Sequence, residues 1–253
     1  MLLAIDVGNS NVVVARLDGT RVTRVDRLPT VRDETVEAAR HRLAGVLSVH
    51  ERHGIDAAIV ASVIVPLAAT WAGAIADLLG LAPLVVDHRT PTGVRLAVEN
   101  PEQVGVDRYV NLAALVDFRA GALVVDCGTA TTFDLLSPSG DFLGGIIAPG
   151  MAISADALTS RAPRLPPVPL AAPHCAIATN TVDAIRAGVV FGHAALVEGL
   201  VARLKREASF PLRVYATGGL AATLAPHCPC FDEHDPHLTL RGLACIHARS
   251  VSQ

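Results

Sequence analysis

The stretch Leu123-Val124-Val125-Asp126-Cys127-Gly128-Thr129-Ala130-Thr131-Thr132-Phe133-Asp134 decides the fold. Its apolar start, Leu123 to Val125, reads as a buried strand that delivers Asp126 into a turn. Gly128 has no Cβ, so the turn can be tight. Thr129, Thr131 and Thr132 supply hydroxyls and N–H groups, and Phe133 with Leu135 and Leu136 resumes a strand. The reading is a hairpin that holds a carboxylate beside a phosphate-sized gap. The start of the chain repeats it: Leu2 to Ile5 is apolar, Asp6-Val7-Gly8-Asn9-Ser10-Asn11 is the turn, and Val12 to Val14 resumes the strand. Two such hairpins predict two similar lobes facing one ligand.

Outward from the first hairpin, the pattern predicts a third strand over 21–28, a helix over 33–53, a strand over 57–63, a helix over 67–79 and a strand over 83–86. That order, βββαβαβ with a parallel tail, fits a ribonuclease-H-like lobe. Pro91, Gly93 and Pro101 break residues 88–105 into a loop or edge hairpin, and a buried helix is predicted over 109–118. The second lobe follows with a turn at 137–140, a helix over 152–159, a long helix over 181–208, a strand over 212–216 and a last helix over 238–247. The division expected is 1–118 and 119–253. The fold class read from this order is α/β, two ribonuclease-H-like lobes with mixed sheets. Gly188, Gly192 and Gly199 within the long helix weaken it by about 1 kcal/mol each unless something packs closely against them.

Composition excludes several alternatives. With 253 residues, 51% of them hydrophobic, the chain can bury one large core or two modest ones. A net charge of −3 and the absence of a Lys/Arg cluster argue against a nucleic-acid face. Lys205 is the only lysine, which excludes a Walker A loop and a protein-kinase strand lysine. Five cysteines without a paired Cys-x-x-Cys read as reduced thiols, consistent with a cytoplasmic protein. The uncharged run from Ala57 to Ala76 is long enough to cross a bilayer, but Pro66 splits it into a strand and a helix, so no membrane partner is expected.

Four pieces carry chemistry. Asp6 and Asp126 each end an apolar strand in a turn whose donors suit phosphates while the carboxylates attract a cation. Thr217-Gly218-Gly219 after a strand offers a flat surface for an adenine or ribose. Asp107, in Gly105-Val106-Asp107-Arg108 at a helix start, is the candidate general base, since phosphorylating an alcohol needs a carboxylate within reach of the hydroxyl proton. Arg108 suits a substrate carboxylate or the moving phosphoryl group. His227-Cys228-Pro229-Cys230, with His234 and His237 beyond, gathers soft metal ligands, but Cys-x-Cys is tighter than the usual zinc spacing.

In this order and spacing, Asp6–Asn11, Gly105–Arg108, Asp126–Asp134, Gly144–Gly150, Asn180-Thr181 and Thr217–Gly219 resemble the type III pantothenate kinases, of the acetate-kinase/Hsp70/actin superfamily, over essentially the whole chain. The resemblance implies ATP-dependent phosphorylation of pantothenate on its 4′-hydroxyl, the first step of coenzyme A synthesis. It implies Asp107 as proton acceptor, with Gly105, Val106 and Arg108 lining the pantothenate site. Asp6, Val7, Gly8, Asn9, Ser10, Asn11, Val12 and Val13 with Thr129 would hold ATP and Mg2+, with Gly218 and Gly219 beside the nucleoside. Asp126, with Asp6 as a second metal-binding carboxylate, would serve the cations, including potassium or ammonium. A homodimer is implied, Thr181 reaching substrate across the interface. Ser10 stands where the family usually has Thr, keeping the hydroxyl; Val98 stands where a substrate-contacting Tyr is usual, and Ala178 where Gly is common. Two other readings use the same residues: a phosphohydrolase or kinase for another small molecule, and a nucleotide-binding regulatory or accessory protein. An intact Asp107 weighs against the second, because a switch needs no base.

Overall fold

The computed structural model describes residues 1–251. Contacts divide the chain into two compact units, one formed by residues 1–117 with the C-terminal helix and the other by Phe118–Pro236. The first contains β1 (Leu2–Val7), β2 (Asn11–Asp18), β3 (Arg21–Pro29), α1 (Val36–Val46), α2 (Val49–Gly54), β4 (Ala57–Ser62), α3 (Val65–Leu79), β5 (Leu84–Val85), β6 (Arg95–Leu96) and α4 (Val106–Ala113). The second contains β7 (Ala122–Cys127), β8 (Ala130–Leu136), β9 (Asp141–Pro149), α5 (Met151–Arg161), α6 (Thr181–Glu207), β10 (Arg213–Thr217), α7 (Ala221–Leu224) and β11 (Glu233–His234). The last helix, α8 (Leu238–Val251), returns to the first unit.

In the first unit the strand order is β3-β2-β1-β4-β5, with β1, β2 and β3 antiparallel and β4 and β5 parallel to β1. Its central strands are apolar without alternation because both faces are covered. Leu3, Ile5, Val7, Val12 and Val14 pack on Ala39, Leu43, Trp71 and Ile75 of α1 and α3. Leu2, Ala4, Val13 and Ala15 pack on α4 and α8 through Val106, Val110, Leu243 and Ile246. Each such large side chain contributes about 1.5–3 kcal/mol of burial. By strand alternation Asp6 belongs to the α4 and α8 face.

Three expectations change here. The helix predicted over 33–53 is two helices, because Ser48 opens a second one with a capping box: its Oγ accepts from Glu51 N at 3.2 Å and Glu51 Oε2 accepts from Ser48 N at 2.8 Å. The last helix, placed in the second lobe by a division at 118, packs in the first unit, where Leu240, Leu243, Ala244 and Ile246 are buried. The helix predicted over 109–118 starts earlier, at Val106, and ends at Ala113, followed by a single 3-10 turn at Val116–Phe118.

In the second unit the strands run β11-β10-β7-β8-β9, with β7, β8 and β9 antiparallel and β10 parallel to β7. Leu123, Val125, Cys127 and Phe133 pack against Ile185, Val189, Val197 and Val201 of α6. That helix is long and apolar enough to cross a membrane by length and composition, but 44% of its most apolar window is buried on this sheet, as in the core helix of a folded unit. The Ala57–Ala76 run forms β4 and the start of α3.

Candidate functional site

In the first unit, β1 carries Asp6 to a turn closed by Gly8 N donating to Asn11 O at 2.9 Å. A Cβ on Gly8 would sit 3.1 Å from that carbonyl, so the turn is built around glycine. Thr30 buttresses it: its N donates to Ser10 O at 3.0 Å and its Oγ1 to Gly8 O at 2.7 Å. Thr30 carried no signal in the sequence, because its contact comes from the β2-β3 pairing. Val63 N donates to Val7 O at 3.1 Å. Asn9, Ser10 and Asn11 are exposed, Asp6 is half-buried, and Val7, Val12 and Val13 are core residues of the sheet. The outward groups of this turn are thus polar donors on a fixed backbone, the requirement for an anion cradle.

Also in the first unit, Gly105 caps α4 and places Asp107 in its first turn. Val106 and Tyr109 are buried in the cluster that holds Ala4, Val13 and Ala61, so α4 lies over the sheet face to which Asp6 belongs. The Asp107 carboxylate folds back over its own helix start: Oδ1 accepts from Arg108 N at 3.0 Å, and a Cβ on Gly105 would come within 2.7 Å of it. Burial pushes the Asp107 carboxyl above the usual carboxylate range, against the opposing pull of Arg108. Burial, with Asp87 and Asp107 nearby, also raises the Tyr109 hydroxyl. A carboxyl whose charged form is disfavoured by burial is a stronger proton acceptor than an exposed one. Val98 lies half-buried in a bend ahead of the 3-10 turn Pro101–Gln103.

In the second unit, Asp126, Thr129 and Gly218-Gly219 come together. Thr217 pairs with Asp126 in the parallel register of β10 and β7, and Leu220 N donates to Cys127 O at 3.0 Å, which folds the Gly218-Gly219 backbone onto the Asp126 turn. Gly218 has φ +91°, and a Cβ there would collide with Asp126 Oδ1 and lie 2.7 Å from Cys127 N. Gly128 N donates to Ala130 O at 3.0 Å and Gly150 N to Thr129 O at 3.2 Å. The Gly144–Gly150 pattern did not mark Gly150 for this site, yet a Cβ there would sit 2.6 Å from Gly128 O. Thr129 and Gly219 are exposed. Burial, with Asp126 beside it, pushes the Cys127 thiol up to about 12, so the sulfur is inert.

Thr181 begins α6, capped by Asn180 Oδ1 accepting from Asp183 N at 2.9 Å. It lines a groove of about 520 Å3 with Ser154, Leu158, Gly188, Gly192 and His193, and none of residues 126–129 or 218–219 lines that groove. His193, also missed in the sequence, bonds through Nε2 to Thr131 Oγ1 at 2.9 Å, and burial lowers its pKa.

A family model described as Type III pantothenate kinase matches residues 2–203. The Type III pantothenate kinase of Anaeromyxobacter sp. (strain Fw109-5) is 42% identical over 253 residues, covering 99% of this chain and 100% of the relative. That of Thermus thermophilus (strain ATCC 27634) is 41% identical over 250 residues, covering 98% of each. Among solved structures, the ROK hexokinase from Thermus thermophilus superposes with a TM-score of 0.53 at 14% identity, over 98% of this chain and 99% of that one. The Acidaminococcus fermentans (R)-2-hydroxyglutaryl-CoA dehydratase component A gives 0.55 at 12% identity, over 100% and 99%. At these identities the structural likeness establishes the fold, which is that of the actin-like ATPases.

Proposed function

This chain belongs to the type III pantothenate kinase family, and from that membership we propose how its residues divide the family's reaction. The protein is a phosphotransferase that uses ATP with a divalent cation to phosphorylate pantothenate in coenzyme A synthesis. The observation that carries the division of roles is the half-buried, raised carboxyl of Asp107 at the start of α4.

Asp107 takes the proton from the 4′-hydroxyl as that oxygen bonds to the γ-phosphorus and the bond to ADP breaks. Gly105 and Val106 leave the helix start close to the substrate, and Arg108 pairs with its carboxylate. Val98, a short apolar side chain, brings no hydroxyl to the pantothenate contacts. The turn Asp6 to Val13 holds the ATP phosphates through N–H donors, with Asn9, Ser10 and Asn11 contributing polar side chains and Asp6 drawing the Mg2+. Thr129 adds a donor, and Gly218-Gly219 presents bare backbone to the nucleoside.

Asp126 fits a monovalent cation, potassium or ammonium: a carboxylate hemmed in by backbone, with no room for a Cβ at Gly218, offers hard oxygen ligands only. Bound there, the cation would neutralise phosphate charge. For the homodimer, the support is α6, where Thr181, Ala184, Gly188, Gly192 and Gly199 are exposed and a Cβ on any of the three glycines would meet nothing within this chain. A second copy packed there offsets the helix cost of those glycines, and Thr181 would reach the partner's substrate. The site of action is the cytoplasm.

The test is ADP release with pantothenate, with and without potassium, and identification of the product by mass. Turnover that needs both and yields 4′-phosphopantothenate supports the division of roles. Phosphate release without pantothenate would favour a phosphohydrolase, and nucleotide binding without turnover a regulatory protein.

A further inference from the structure

The motif His227-Cys228-Pro229-Cys230 has no part in the roles above. Among the described residues no group of three or more His, Cys, Asp or Glu is gathered closely enough to hold a metal ion, so zinc does not account for it. What the structure holds there is two thiols side by side. Cys228 to Phe231 make one turn, with Phe231 N donating to Cys228 O at 3.2 Å and Pro229 at the second position, which its fixed φ favours. Such a turn sets the Cα atoms of its first and third residues roughly 5–6 Å apart, within the disulfide range.

The two thiols stand two residues apart in that turn, and the Cys228 Sγ faces the Ala194 carbonyl at 4.0 Å. Cys228 is 1% exposed, inside the cluster of Cys127, Ala194, Ala216 and Leu224, while Cys230 stands half-buried at its edge. The neighbouring Cys228 thiol holds the Cys230 thiol below its ordinary range, helped by Lys205 and opposed by burial and Glu198. The same neighbour, together with burial, raises Cys228. A half-buried sulfur at the edge of the core therefore shares one turn with a fully buried one.

We propose that Cys230 and Cys228 form a reversible thiol-modification site that reacts with peroxides. The Cys230 thiolate attacks one peroxide oxygen, the O–O bond breaks, and the leaving hydroxide takes up a proton to give water and a sulfenic acid on Cys230. Cys228 Sγ then attacks that sulfur, its proton goes to the departing hydroxyl as a second water, and the S–S bond forms. Two thiols are oxidised and one peroxide is reduced. The ring closes within one turn and spares the core thiol of Cys127.

The test uses the full-length reduced protein, hydrogen peroxide and peptide mass analysis. The expected result is loss of two hydrogens on a peptide holding Cys228 and Cys230, restored by dithiothreitol. Cys230→Ser abolishes that loss, and Cys228→Ser leaves a sulfenic acid on Cys230 that dimedone captures. Before oxidation, iodoacetamide at pH 7 alkylates Cys230 about tenfold faster than the exposed Cys175, as a lowered thiol pKa requires. A disulfide joining Cys230 to Cys127 or Cys175, or faster alkylation of Cys175, overturns the proposal, and the wild-type mass result decides it even where a variant folds poorly.

Discussion

Gly218 and Asp126 are locked together: with φ at +91°, Gly218 lies so close to the Asp126 carboxylate that a Cβ would collide with Oδ1. The left-handed backbone alone costs an alanine about 1–2 kcal/mol, and the collision displaces the carboxylate as well. Gly218→Ala is therefore expected to raise KM for ATP and lower kcat, at least tenfold in kcat/KM, with a smaller loss for Gly219→Ala, whose site has open space. Steady-state kinetics on both variants check this, and equal effects would contradict it.

If Asp107 is the base, its raised carboxyl is expected to set the acid side of the pH profile. A base must be deprotonated to act, so log kcat/KM for pantothenate should fall on acidification with a midpoint above the ordinary value of 3.8, because burial disfavours the charged form. A profile flat down to pH 4 would contradict the assignment.

The second helix of the first unit makes stability acid-sensitive. Hydrogen bonds from the Ser48 hydroxyl and the Ser48 N–H hold the Glu51 carboxyl below its ordinary value of 4.5, with Arg16 and Arg24 adding to the effect. A depressed carboxyl contributes stability that is present above the unfolded value and lost as pH falls through the folded one. Ser48→Ala should cost about 1 kcal/mol at pH 7. The gap to wild type should narrow below pH 4.5 in denaturant titrations at the two pH values.

The C-terminal helix seats the helix that carries Asp107. Gly242 lies flat against the Val110 carbonyl, Thr239 Oγ1 donates to Asn111 Oδ1 at 2.7 Å, and Arg249 Nη1 donates to Ala113 O at 3.2 Å. A side chain at 242 must push α8 off α4, so Gly242→Val is expected to cost about 2–3 kcal/mol and lower Tm by several degrees. An unchanged Tm would contradict this packing.

How much of this was legible in the sequence follows from the range of each interaction. The Asp6 and Asp126 hairpins are local, and their apolar strands and Gly8 and Gly128 announced them. The break at Ser48 was also local, a Ser-x-x-Glu spacing at 48–51 hidden by the helical charge pattern around it. Arg16 was not legible: it is fully buried in the apolar run of β2, ion-paired with Asp26 and Glu51 and bonded to the Val46 carbonyl, none of them adjacent to it in sequence. The return of α8 to the first unit was hidden for the same reason, since an amphipathic helix shows that it is covered but not by what. Thr30, Gly150 and His193 act through partners that only the folded strands bring near.

The most direct test of the central claim is kcat for pantothenate phosphorylation in Asp107→Asn, measured alongside the dissociation constant for ATP. The variant keeps the size and hydrogen bonds of the side chain but cannot take the proton. The expected result is a loss of about a hundredfold or more in kcat, the usual scale for a general base, with ATP affinity within about twofold of wild type. A variant that retains kcat, or loses activity only because ATP no longer binds, would contradict it.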